Sequence, residues 1–336
     1  MTPRPFSREL RKKVKAEARQ KVNVRFASCL GMYYAKTLIE VFVFATFGWA
    51  LLAITFWYSY FWAENGYLAA ASSNIYENMA VQFLMAWVGA FLFFMLVFFW
   101  MGAPLAFGST KFYIALSNDI PASVDLLWSP FMRGRQFWNS IKLSVCMMFR
   151  TFLWMLIPQG IWEILLFGTQ FGTLVMENRL GFPVLLCIQL LFAIIRLFVS
   201  TKSLSYSGCW AIIDREEYQS VWAATVRSAR IFKGCYWSLM LFSLSFLPWQ
   251  LLMVALACAS FLLGVMLIFL MNSIIGVVLG VLIIGLAIAG LSVLLCWYLS
   301  YVNVAFFSLF RDLENRARAH EAFASEEGNI TIAEKL

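Results

Sequence analysis

Residues 38–62 read "LIEVFVFATFGWALLAITFWYSYFW", an apolar run broken by one charge, Glu40. About 20 such residues, at 1.5 Å rise each, cross a hydrocarbon core about 30 Å thick. The run outlasts the roughly 7–15 apolar residues of a signal peptide and follows a long basic segment, so it is expected to stay in the mature chain as a span. Similar runs recur, and spans are expected near 38–62, 80–106, 144–168, 182–204, 236–258 and 278–308. Composition agrees: 62% of residues are apolar, 13% are charged and the mean hydropathy is +0.77. Soluble domains carry about twice that charge, and the strict alternation of a membrane β-barrel is missing. The expected fold is all-α: a polytopic membrane helix bundle with amphipathic interfacial helices. It divides into a basic N-terminal helix (1–37), one transmembrane domain (38–309) and a polar tail (310–336).

Charge alternates between the spans. Arg4, Arg8, Arg11, Lys12, Lys13, Lys15, Arg19, Lys21, Arg25 and Lys36 precede the first span, whereas 63–79 holds Glu64 and Glu77 and no base. Lys111, Arg133, Arg135 and Lys142 follow the second span, and Arg215, Arg227, Arg230 and Lys233 the fourth. Arg311, Arg316 and Arg318 open the tail. Lys and Arg in short loops mark the cytoplasmic side, so both termini are expected in the cytoplasm and the protein in the cell membrane. The apolar stretch 236–309 is interrupted by Asn272 and Ser273, which places an outer turn there; a re-entrant piece or an interfacial helix around 259–275 is the alternative.

The two long basic segments read alike. "ALSNDIPASVDLLWSPFMRGRQFWNSI" (115–141) and "AIIDREEYQSVWAATVRSARIFKGCYWSL" (211–239) each run from an acidic turn (Asp119, Asp214) to a serine (Ser123, Ser220). Cations around a glycine (Gly134, Gly234) and an aromatic pair then lead into a span. With the N-terminal helix as a diverged third copy, this suggests three units, each an interfacial helix followed by a hairpin. At 100° per residue Val221, Trp222, Val226, Ala229 and Phe232 form one stripe with Arg227 and Arg230 beside it. Such a helix lies in the interface, making Arg133, Arg135, Arg227, Arg230 and Lys233 candidate headgroup contacts. Simple anchoring of the spans explains the same cations.

Ionisable residues inside spans are functional candidates: here Glu40, Arg150 and Arg196, with Glu163 towards the opposite end of its span. Glu40 paired with Arg150 or Arg196 would form a polar cluster for an anionic headgroup or solute. Competing explanations are a local Lys36–Glu40 pair at i,i+4 and snorkelling of both arginines. Gly276/Gly280 and Gly285/Ala289 have the spacing of close helix packing, within the bundle or in self-association. Pro158 is a kink candidate.

Several chemistries find no support. No phosphate-binding glycine loop occurs, the one histidine, His320, lies in the tail, and Cys29, Cys146, Cys187, Cys209, Cys235, Cys258 and Cys296 are scattered singly. No catalytic, metal or cofactor site is expected. The bases flank spans, so nucleic acid is not an expected partner; membrane lipids are, and a protein partner or second copy through the last span is an alternative.

Tyr206-Ser207, "AIID" (211–214) and "SARIFKGCYWSLMLFSLSFLPW" (228–249), with "GSTKFYIAL", "FMRGRQFW", "FLWMLIPQGI" (152–161) and "YVNVAFFSLFRDL" (301–313) in that order, resemble a family of uncharacterised bacterial multi-pass proteins. It is catalogued as domain of unknown function 975 and is similar to membrane domains attached to some glycerophosphodiester phosphodiesterases. The resemblance implies a multi-pass helical fold and lipid-related biology, and no catalytic residues. The leading expectation is a non-enzymatic protein handling or sensing lipids or small amphiphiles. A scaffold or assembly subunit is the second, and a channel or secondary transporter the third.

Overall fold

A computed structural model describes residues 6–69, 73–167, 182–215, 220–271 and 274–333, and every element among them is helical. The order is α1 Arg8–Val24, α2 Phe26–Ala69, α3 Ser73–Ser117, a 3₁₀ turn Val124–Leu127, α4 Ser129–Met132 and α5 Gly134–Phe167. It continues with α6 Phe182–Ser207, α7 Cys209–Asp214, α8 Val221–Ile231, α9 Tyr236–Leu244, α10 Leu247–Met271 and α11 Ile274–Ala333. Five stretches among these are long and apolar enough to cross a membrane: Phe26–Trp57, Leu84–Ser117, Leu190–Asp214, Tyr236–Leu270 and Ile274–Ala319. The remaining expected span, 144–168, falls on α5, where the side chains of 161–167, Glu163 among them, lie outside the described residues. The helix itself continues past Pro158.

The expected end of the fifth span at 258 is corrected. Ser245 and Phe246 break the helix after α9, and α10 then runs unbroken from Leu247 to Met271. These extra residues pair with the start of α11. The expected turn residues Asn272 and Ser273 lie outside the described residues. The helix-like stretch expected after Ser123 is a 3₁₀ turn and one turn of α-helix, Ser129–Met132, with Pro130 in that turn.

The chain forms two compact units. One comprises Gly31–Ser109 and Ser123–Ser144. In it α2 and α3 meet through aromatic contacts, Phe94 stacking on Phe47 with ring centroids 3.9 Å apart. Gly108 lies on the backbone of Leu127.

The other unit comprises Met1–Leu30, Thr110–Ala122 and Val145–Leu336. Its helices change character along their length. On α6, Leu190, Leu191, Ile194 and Phe198 are exposed and Phe192 is buried, and from Val199 onward burial predominates; on α11 large apolar side chains are exposed up to Leu295 and burial of them begins at Cys296. Between α9 and α10 the change falls after Phe246. The exposed start of α11 is roughly 22 residues, about 33 Å at 1.5 Å per residue, matching a hydrocarbon core. The buried end is a packed aromatic core: Phe232 lies against Phe306 and Phe310, centroids 6.0 and 5.9 Å apart, and Gly208 fits under the Phe310 ring. Val14, Ala18 and Val22, spaced four apart on α1, are buried where that helix packs on α11. Glu314, 2% exposed, is held by Arg215 (2.9 Å) and Arg318 (3.0 Å), as a buried charge requires.

The end of α3 is a Schellman turn: Ile120 N–H bonds to Ala115 C=O at 3.0 Å and Asp119 N–H to Leu116 C=O at 3.4 Å. Asp119 occupies the left-handed position, φ 60°, usually given to glycine. Asp119→Gly and Asp119→Ala both remove the 2.7 Å pair with Lys21, but only glycine is free of the positive-φ penalty. The Ala variant is therefore expected to be less stable than the Gly variant by about 1 kcal/mol, read as midpoints of thermal unfolding in detergent. Equal midpoints would refute the turn.

Gly264 and Gly280 let α10 and α11 touch: a Cβ on Gly280 would come 2.6 Å from the Gly264 carbonyl oxygen. Gly276 and Gly280 are buried, whereas Gly285 and Ala289 are exposed. Gly280→Val is expected to cost about 1–3 kcal/mol as overpacking. Gly285→Val, with nothing within 4 Å, should change stability by less than about 0.5 kcal/mol. Comparing the two melting curves tests the hairpin.

Candidate functional site

The candidate centre lies where α5, α6, α8 and α9 meet, within the second unit. Two cation–aromatic pairs are spaced one helical turn apart in sequence, Arg150/Trp154 on α5 and Lys202/Tyr206 on α6, so each pair shares a helix face. The helices run antiparallel here and exchange partners. Arg150 lies 5.3 Å from the Tyr206 ring, and Lys202 lies 5.5 Å from the Trp154 ring. Trp154 Nε1–H donates to Tyr206 Oη at 3.1 Å, and the Thr151 and Ser203 hydroxyls are bonded at 2.8 Å. The surface helix and α9 complete the cage. Arg150 stacks on Trp222 at 3.9 Å, while Lys202 lies 4.0 Å from the Tyr236 ring and donates to its hydroxyl at 2.6 Å.

Two positive charges thus bracket one hydrogen-bonded aromatic pair, and among the described residues neither has a carboxylate in ion-pair range. The Arg150 Nε is buried without a hydrogen-bond partner. Aromatic faces attract a cation without neutralising it, so the centre keeps its charge, and a guanidinium stacked on indole keeps its N–H edge for a planar, bidentate acceptor.

The expected site residues divide. Arg150 is at the centre. Arg196, on α6 two turns before Ser203, is exposed. Glu40 belongs to the other unit and pairs with Lys36 of its own helix at 3.6 Å, the local alternative. Arg133, Arg135, Arg230 and Lys233 are exposed and Arg227 is half-buried.

Of the stripe expected on α8, Phe232 is buried at the end of the helix, and Val221, Val226 and Ala229 are half-buried. The helix buries Ala224, Thr225, Ser228 and Ile231, while Trp222 is 55% exposed. Small side chains allow close approach, and their hydroxyls are satisfied: Ser228 donates to Ser205 C=O at 2.7 Å and Thr225 to Trp222 C=O at 2.8 Å. Trp222 faces outward, under Arg150. Lys202, Trp154 and the ring roles of Tyr206 and Tyr236 were not anticipated. The matching i,i+4 cation–aromatic spacing on neighbouring spans was the available signal.

No family model, curated protein or solved structure matches the chain, so the chemistry must be read from these residues.

A double-mutant cycle checks the cage. Arg150→Met and Trp222→Leu should show a coupling of about 0.5–2 kcal/mol in detergent denaturation; additive effects would mean the stacking carries no energy.

Proposed function

We propose that this chain is a non-enzymatic, multi-pass protein of the cell membrane that binds or senses anionic lipid at the cytoplasmic leaflet, with both termini cytoplasmic. One observation carries the reading: Arg150 and Lys202 meet on a shared aromatic pair with no described acid to neutralise them. On the same two helices the apolar side chains Phe149, Phe152, Leu190 and Ile194 are exposed. Headgroup phosphate would take the guanidinium edge and ammonium, and acyl chains would lie on the apolar faces. The order surface helix, then hairpin, recurs after α1, α4 and α8 and supports reading three related units. The resemblance to domain of unknown function 975 supports the same class. The scaffold reading loses Gly280, which lies against Gly264 and Ile268 within the α10–α11 hairpin, and keeps Gly285 and Ala289 as its exposed small residues.

The test is native mass spectrometry of the full chain released from vesicles of phosphatidylcholine and phosphatidylglycerol. The wild type should retain phosphatidylglycerol preferentially. Arg150→Gln with Lys202→Gln should reduce that retention about tenfold or more, at about 1 kcal/mol per basic contact. Unchanged retention in a normally folded double variant would overturn the reading.

A further inference from the structure

We propose a second site for a phosphate-bearing group, on α1 rather than in the aromatic cage. A recess of about 500 Å³ opens beside this helix, lined by Lys15, Arg19, Gln20, Asn23 and Tyr301. That volume falls within the range of small-ligand sites.

The two flanks of α1 differ in charge. On one flank is a smaller recess of about 270 Å³ whose lining sets Lys21 and Arg25 against Glu17 and Asp119: Lys21 pairs with Asp119 at 2.7 Å and Arg25 donates to the Ile120 carbonyl at 2.7 Å. The larger recess has two cations, two amides, a phenol and no carboxylate. Arg11, Lys15 and Arg19 recur at i, i+4, i+8 and form one rail along the helix. Arg19 makes no ion pair among the described residues, and the Arg11 Nε is buried without a hydrogen-bond partner.

The donors are pre-positioned. Lys15 spends two of its three protons on the Ser245 carbonyl (3.3 Å) and hydroxyl (3.1 Å), which fixes the ammonium and leaves one proton. Trp297 Nε1–H donates to Asn23 Oδ1 at 2.8 Å, so the acceptor end of that amide is occupied and its NH₂ end is left to donate. A dense array of N–H donors without an acceptor of matching charge suits a multiply charged oxyanion. The level also fits. Trp249, Trp297 and Tyr301 form a ring-to-ring ladder, centroids 5.2 and 5.3 Å apart, at the change from exposed to buried helix, where membrane proteins place tryptophan and tyrosine against headgroups. The ligand is thus a phosphate-bearing group, from an anionic lipid or a soluble phosphoester.

The test uses the full chain carrying Arg19→Gln, with Gln20→Ala as a second, milder variant and Arg8→Gln as a control on the same helix outside the recess. In one arm, native mass spectrometry counts phosphatidylglycerol retained from mixed vesicles. In the other, calorimetry in neutral detergent titrates inorganic phosphate and glycerol 1-phosphate. Arg19→Gln should lower retention or affinity about fivefold, the worth of one basic contact to an anionic headgroup, with a smaller loss for Gln20→Ala and none for Arg8→Gln. A loss confined to the vesicle arm identifies a lipid; a loss in the calorimetric arm identifies a soluble phosphoester. No loss in either arm, or an equal loss with Arg8→Gln, overturns the site. Because Arg150 is untouched in these variants, loss with Arg150→Gln but not Arg19→Gln sinks this inference alone, and the converse sinks the cage alone.

Discussion

The packed end of this protein depends on cations satisfying backbone carbonyls. A helix leaves its last carbonyls without partners, and here lysines and arginines from other helices take them. Lys21 Nζ and Arg311 Nη1 donate to the Ser117 carbonyl at 2.7 and 2.8 Å, and Arg25 Nη1 donates to Ile120 C=O at 2.7 Å. Lys15 does the same at Ser245, the C-cap of α9. Each bond also sets a positive charge at the negative end of a helix dipole. The consequence is architectural: α1 cannot leave without exposing the ends of α3 and α9, so a short basic helix ties elements far apart in sequence.

That grip explains why burial is concentrated at one end. The exposed lengths of α6, α10 and α11 are apolar nearly all round, which in lipid incurs no penalty and provides no force between helices. Cohesion has to come from direct packing and polar contacts. The Gly264–Gly280 approach supplies it within the apolar length of the hairpin. Elsewhere in this unit it comes from the aromatic core around Phe232 and Phe310, the capped helix ends and the clamp on Glu314.

How much of this was legible in the sequence follows from the range of each interaction. Properties set within a few residues could be read: apolar length gave five stretches able to cross a membrane, i,i+4 spacing gave Lys36–Glu40, and small-residue spacing picked out Gly280. Partners remote in sequence could not. The basic residues before the first span were read as a topological signal, and nothing local says that Lys15 meets Ser245 or Lys21 meets Ser117. The buried small face of α8 has the same origin, because it is fixed by Ser228 donating to the Ser205 carbonyl, a partner remote in sequence. In the cage, Arg150 was visible as an intramembrane charge, but its neighbour Lys202 lay near the end of a span, where a lysine is unremarkable.

The cations of this unit can finally be sorted by what meets them. Lys21, Arg25 and Arg311 spend their donors on carbonyls at a helix end, and Lys111, Arg215 and Arg318 face Asp214 or Glu314. For these the charge is answered by a dipole or a carboxylate, and an incoming anion would have to displace a partner. Arg150 and Lys202 are met instead by aromatic faces, which hold a cation in place while leaving its field intact. Arg19 meets no acid among the described residues. An anion therefore gains most at these positions, and they lie where the helices pass from exposed apolar surface to packed core. Charge left unanswered at that boundary, rather than the overall basicity of the chain, is what distinguishes a binding centre from an anchor.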